Sequence, residues 1–162
     1  MKRYVTILSI ILMMLTLFAC RGFGTEEGEI RMDGFKEFYY TYENINYNAK
    51  YQRYYFYEKD GKHMFFHDRR EVIDDYGPAG EADRNRFGEF ELAEEEWQQF
   101  ASFLQKGTAR NRQEHTESGD SGPWMFLYRE GKDPKGQEFE FDSYSTLKEF
   151  EQFCDTLADT ER

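Results

Sequence analysis

From residue 20 onward the chain holds only nine Ile, Leu and Val residues, against 28 Phe, Tyr and Trp. A domain of this length must bury an apolar core, and here rings rather than aliphatic side chains have to fill it. Each buried ring removes about 150 to 250 Å² from water, so a modest number can replace many leucines. Tyrosine adds a condition: its hydroxyl needs a polar partner or the surface, so part of the ring supply must lie at the margin of the core. The same aromatic content excludes a disordered acidic chain, which lacks the apolar surface to fold.

The first twenty residues are built differently. Lys2 and Arg3 open the chain, an apolar run from Val5 to Phe18 is interrupted only by Thr6, Ser9 and Thr16, and Ala19-Cys20 closes it. A cationic head, a short apolar stretch and a small residue before the processing point make an export signal. The run is shorter than the roughly 20 apolar residues of a membrane-spanning helix. Leu17-Phe18-Ala19-Cys20 resembles the lipobox of bacterial lipoprotein signal peptides, although Phe18 stands where a small or hydroxylated residue is commoner. That resemblance implies removal of residues 1–19 and acylation of Cys20 as the mature N-terminus. It places the protein on the extracytoplasmic face of the cell membrane, which Cys20 engages through its lipid. One acyl chain attaches marginally, whereas two or three hold firmly.

With 32 acidic and 21 basic residues the formal net charge is −11, and the first nineteen residues contribute two cations and no acid. Such a surface repels nucleic acid and anionic headgroups, so nucleic acid is not an expected partner. Cys154 is the one cysteine besides Cys20, so stability must come from packing rather than an internal disulfide. The spacing Leu147, Phe150, Cys154, Leu157 puts the thiol on the apolar stripe of a helix, where burial keeps it inert.

Glycine and glutamate dominate 20–34, which predicts a flexible tether, and a single domain is expected over 35–160. Aromatic density predicts strands at 36–42 and 50–58, a tight reversal at Asp60-Gly61, and a returning strand at 63–67. Residues 68–86 lose periodicity and gather charge, as a long surface loop does. Phe90 and Leu92 alternate with glutamates in a brief strand. A helix follows: Glu94, Glu95 and Glu96 suit its positive end, Ala93, Trp97, Phe100, Ala101 and Leu104 form its apolar side, and Lys106-Gly107 stops it.

Residues 108–122 read as a second polar loop. Strands at 124–129 and 137–142 flank a turn, with Phe139 and Phe141 facing inward. The last helix starts over 143–146, with Thr146 and Glu149 as a capping box, and ends near Ala158. Two aromatic hairpins, each followed by a helix, predict the α+β class: an antiparallel sheet of aromatic-rich hairpins with both helices packed on one face, ββα-ββα-like.

Few residues gather into recognisable chemistry. Gly119-Asp120-Ser121-Gly122-Pro123 resembles the nucleophile motif of chymotrypsin-like proteases with one glycine missing, but the histidine context and the length for two barrels are lacking. His63 and His67 share a strand face about 13 Å apart at ~3.3 Å per residue, too far to chelate one ion, and read as solvent-facing. His115 stands in the polar loop, and the acidic turns lack calcium-loop spacing. No phosphate-cradling glycine loop is present, and neither a metal nor another cofactor is expected.

The tyrosine cluster stands out. Tyr39, Tyr40, Tyr42, Tyr47, Tyr51, Tyr54, Tyr55 and Tyr57 lie on strands whose side chains alternate between faces. One face can bury and the other then displays rings. Tyr40, Tyr42, Tyr55 and Tyr57 are the candidate contact residues, suited to stacking on a polysaccharide or gripping another envelope protein. The competing reading has the rings replace aliphatics in a two-sided core. The expected function is therefore a lipid-anchored envelope protein acting as a non-catalytic binding or accessory module. A small envelope-associated hydrolase and a purely structural lipoprotein are the alternatives.

Overall fold

The computed structural model describes residues 30, 32–112, 122–132, 134 and 136–160. The export signal with Cys20, most of the tether, His115 and residues 119–121 lie outside the described residues. In chain order the elements are β1 (Phe35–Asn44), β2 (Lys50–Lys59), β3 (Lys62–Glu71), β4 (Arg84–Glu91), α1 (Glu94–Leu104), β5 (Gly107–Asn111), β6 (Trp124–Arg129), β7 (Gln137–Phe141) and α2 (Tyr144–Asp159). The strands pair antiparallel in one sheet of order β4-β3-β2-β1-β6-β7-β5, which with the two helices makes the fold α+β. Four strands precede α1 and three precede α2, so each half contributes more than the hairpin expected of it. The first strand is the middle of the sheet.

Local chemistry explains the elements. Asp60 and Gly61, both at positive φ, make the two-residue turn that joins β2 to β3 with the right twist. The expected loop over 68–86 shrinks to 72–83, because its charges satisfy one another across a ladder. Asp68 is buried and accepts from Arg70 at 2.6 Å and Arg84 at 3.1 Å, so β3 and β4 continue through sequence that looks solvated. Burial alone would raise the Asp68 carboxyl, but the bonds from the two arginines outweigh it and hold it below the ordinary carboxylate range.

The second expected loop also yields a strand, β5, in which Ala109 is buried and Arg110 pairs with Glu138 at 2.9 Å. Gly107 opens that strand rather than stopping α1. A Cβ there would meet Phe139 Cζ at 2.4 Å, so only glycine lets β5 approach β7. Helix α1 is held at its start by Glu96, whose carboxylate accepts from the Ala93 N–H at 2.7 Å. Helix α2 is capped by Ser143, which accepts from the Thr146 N–H at 3.1 Å in place of the expected box at Thr146 and Glu149.

Both helices pack on the face that carries Phe38, Tyr40, Tyr54, Phe56 and Phe65. Phe56 stacks on Phe100 of α1 with centroids 3.9 Å apart, and Phe38 meets Phe139 and Phe150 edge-on. Tyr40 and Tyr54 lie beneath α2 and donate to Glu151 and Asp155 on it, so each ring is buried while its hydroxyl reaches the margin. Ile30 is buried in the same core and Met32 packs against it, so the packed domain begins ahead of the expected boundary at 35. Cys154 is fully buried on α2, and burial pushes its thiol well up.

Candidate functional site

No helix covers the opposite face of the sheet among the described residues. Strand register assembles this open face in rows. One row crosses all seven strands as Glu89, Phe66, Tyr55, Tyr39, Phe126, Glu138 and Arg110. Four adjacent strands thus place four rings side by side, a band about 14 Å long at ~4.8 Å per strand, with a carboxylate at each end. The flanking rows add Met64, Tyr57, Glu37 and Tyr128 on one side and Arg53, Thr41 and Trp124 on the other.

The rings stand against one another rather than lying flat. Tyr39 stacks on Tyr55 with centroids 4.2 Å apart and planes 9° from parallel, and Tyr55 on Tyr57 at 4.3 Å and 12°. Tyr128 meets Tyr39 edge-on at 5.8 Å. Tyr39 and Tyr55 both donate to Glu37, and Tyr57 donates to Glu89. Partial burial, followed for Tyr55 and Tyr57 by the bond to a carboxylate, raises these phenols above their ordinary value, so they remain protonated donors at neutral pH. Guanidinium groups lie over several rings: Arg53 over Tyr39 at 5.1 Å, Arg112 over Phe126 at 4.7 Å and Arg84 over Phe87 at 4.4 Å.

Charge separates this face from the rest of the molecule. Its acids, Glu37, Glu43, Asp68, Glu89, Glu91, Glu138 and Glu140, are matched one for one by Arg53, Lys59, Lys62, Arg70, Arg84, Arg110 and Arg112. The whole chain carries −11, so the excess acid lies elsewhere. Two shallow hollows flank the aromatic band. One of about 370 Å³ is lined by Lys36, Glu37, Tyr55, Tyr57 and Tyr128 among others, and one of about 260 Å³ lies beside Trp124, Phe126, Arg110 and Glu138.

The four tyrosines singled out from the sequence separate. Tyr55 and Tyr57 are on the open face, half-buried and stacked. Tyr40 is 0% exposed beneath α2, and Tyr42 packs against the core from the same covered side, so neither belongs to the open band. Their hydroxyl-bearing rings are needed there because the aliphatics are too few. Tyr39, Phe66, Trp124, Phe126 and Tyr128 take their place. The phase of the phenylalanines was the available signal: Phe38 and Phe56, with no hydroxyl to satisfy, mark the covered side, and Tyr40 and Tyr54 share their alternation.

His63 and His67 are not solvent-facing as expected. His63 stacks half-buried on Trp97 at 3.9 Å, and His67 is 6% exposed on the covered side. Among the described residues no group of three or more His, Cys, Asp or Glu could hold a metal ion, and no helix is long and apolar enough to cross a membrane. Comparison with family models, with curated proteins and with solved structures finds no match to this chain.

Proposed function

We propose that this chain is a lipid-anchored protein of the extracytoplasmic membrane face, tethered through Cys20, that works without catalysis by binding the surface of another envelope protein with its open aromatic face. The observation that carries this reading is the contrast in charge: a ring-rich face of balanced charge on an otherwise acidic molecule. Long-range repulsion keeps an acidic surface away from acidic neighbours, and the balanced charge of this face relieves it of that repulsion. Rings and arginines are also the residues that protein interfaces favour. Upright, mutually stacked rings present edges and hydroxyls in ridges. A protein surface can interdigitate with ridges, whereas stacking on a polysaccharide needs exposed ring faces, and those of Tyr39, Tyr55 and Phe126 are stacked on a neighbouring ring or lie under a guanidinium group.

Photo-crosslinking in intact cells tests the assignment. A benzoyl-phenylalanine at Tyr55 or Phe126 is expected to trap one discrete protein partner, while the same probe at Gln98 or Gln152 on the helices traps none. Equal labelling from both sides, or retention on a polysaccharide matrix that Tyr55→Ala abolishes, overturns the protein-partner reading. The anchor is tested separately: Cys20→Ala should release the protein from the membrane fraction, and an unchanged distribution counts against lipidation.

A further inference from the structure

Strand β4 is an outer strand of the sheet, and among the described residues no strand pairs with its far edge. The Leu92 N–H donates to the His63 carbonyl at 2.8 Å, which fixes the phase of the ladder. Gly88 and Arg86 then bond across to β3, and the peptide N–H and C=O of Phe87 and Glu89 turn outward. Free edges are usually blunted by shortness, charge, proline or a bulge. The opposite edge, β5, has five residues; β4 has eight without proline, its bulge lies at the Arg84 end opposite Arg69 and Arg70, and Phe87 in its middle is 57% exposed.

Along the β4 edge runs a groove of about 560 Å³, bounded by the strand and the C-terminal end of α2 and lined by His67, Arg86, Gly88, Phe90, Ala158 and Asp159. Gly88 opens its floor, because a Cβ there would stand 2.8 Å from His67 Nε2. His67 is buried, and it is the Nε2 side of its ring that faces Gly88, while the unpartnered Nδ1 lies deeper, out of reach of the groove. Arg86 is already paired with Asp159 and donates to the Ala158 carbonyl, so a charged side chain entering the groove finds no free counter-ion in that pair.

We propose that the β4 edge binds an extended peptide segment of a partner protein as an eighth strand. Its main chain bonds Phe87 and Glu89, and alternate side chains, apolar or hydroxyl-bearing, enter the groove over Gly88 beside His67. Main-chain bonds supply affinity in this mode, and the pocket for every second side chain supplies selectivity. The proposal does not rest on the open-face reading, since it uses the outward main chain of Phe87 and Glu89 rather than their side chains on that face.

The test pans a phage-displayed library of random dodecapeptides against the purified full-length protein in detergent micelles. Phe87→Pro is the decisive variant, because a proline whose missing N–H would have faced outward removes no hydrogen bond from the β3–β4 ladder. Glu89→Pro, of the same phase, provides the second measurement, and a retained cooperative thermal melt confirms that each variant is folded. Enriched peptides are expected to lose about tenfold or more in affinity with either proline, to keep their affinity with Tyr55→Ala, and to slow hydrogen exchange at the Phe87 and Glu89 amides. The proposal is overturned if no peptide is enriched, if enriched peptides are indifferent to both prolines, if Tyr55→Ala abolishes their binding, or if sedimentation shows a dimer that the prolines dissociate, making a second copy the occupant.

Discussion

The two faces of the sheet use the same chemistry to different ends. Beneath the helices, Tyr40 and Tyr54 donate to Glu151 and Asp155, and the bonds run between layers. On the open side, Tyr39, Tyr55 and Tyr57 donate to Glu37 and Glu89, and the bonds run within the sheet. A tyrosine–carboxylate bond therefore fastens a helix on one side and merely orders a surface on the other. The difference lies in what surrounds the ring: closed packing in one case, and other half-exposed rings in the other. Substituting adjacent residues of one strand, which alternate between the faces, separates the two roles directly.

The largest effect is expected from Phe56→Ala. This ring is 0% exposed, stacks on Phe100 and touches Phe65 and Phe153, so its removal leaves a cavity that costs about 3 to 5 kcal/mol in denaturant unfolding. Tyr55→Ala, one residue away on the open side, is expected to cost about 1 kcal/mol. If the two costs were alike, the open band would be core rather than a surface kept for contact. The hydroxyl pair gives the next contrast. Tyr54→Phe removes a hydrogen bond to a charged group at the base of α2 and should cost about 1.5 kcal/mol or more, with Tyr57→Phe well below about 0.5 kcal/mol.

Acid separates the faces in another way, through two neighbours of β3. His67, on the covered side, has its pKa lowered from 6.5 by burial first and then by Arg86 and Arg69. The unfolded chain therefore takes up the proton more readily, so the stabilisation is complete above pH 6.5 and is lost as pH falls toward the folded value. Asp68, on the open side, has its pKa lowered from 3.8, so its contribution persists through that window and fails only as pH falls below 3.8 through the folded value. Urea midpoints between pH 7 and pH 5 should therefore decline in the parent chain and flatten in His67→Phe, while Asp68→Asn leaves the slope of this interval intact. A slope unaffected by His67→Phe would mean that another group carries it.

How much of this was legible beforehand follows the same division. Turn chemistry at Asp60-Gly61 and the three-four spacing of the helices are local signals, and the elements they mark are present. The far halves of β3 and β4 were hidden because charge looks solvated in sequence, whereas Asp68, Arg70 and Arg84 neutralise one another across the ladder. Strand β5 was hidden by its brevity and polarity. Alternation in β1 and β2 announces two faces but not which one the helices cover, and Tyr40 and Tyr42 lie on the covered one. In β3 even the phenylalanine phase is silent, since Phe65 and Phe66 point to opposite sides. The open face depends on register among seven strands, and register between distant strands has no signature in any single segment.

The smallest effect tests whether the guanidinium groups stabilise the open band. Arg53 lies 5.1 Å from the Tyr39 centroid, and its cross-strand neighbour on β3 is Asp68. A cation over a half-exposed ring contributes about 0.5 to 1 kcal/mol, and solvent screening keeps it at the lower end. A double-mutant cycle of Arg53→Met and Tyr39→Leu, read by urea unfolding, is expected to give a coupling near 0.5 kcal/mol that shrinks little in 1 M salt, because the ring bears no net charge. A coupling that vanishes in salt would instead make Arg53 a partner of the carboxylates around it. The distinction matters for recognition: a guanidinium committed to a ring covers that ring and leaves the ridge apolar, whereas one committed to acids leaves the ring face open for a sugar to stack upon.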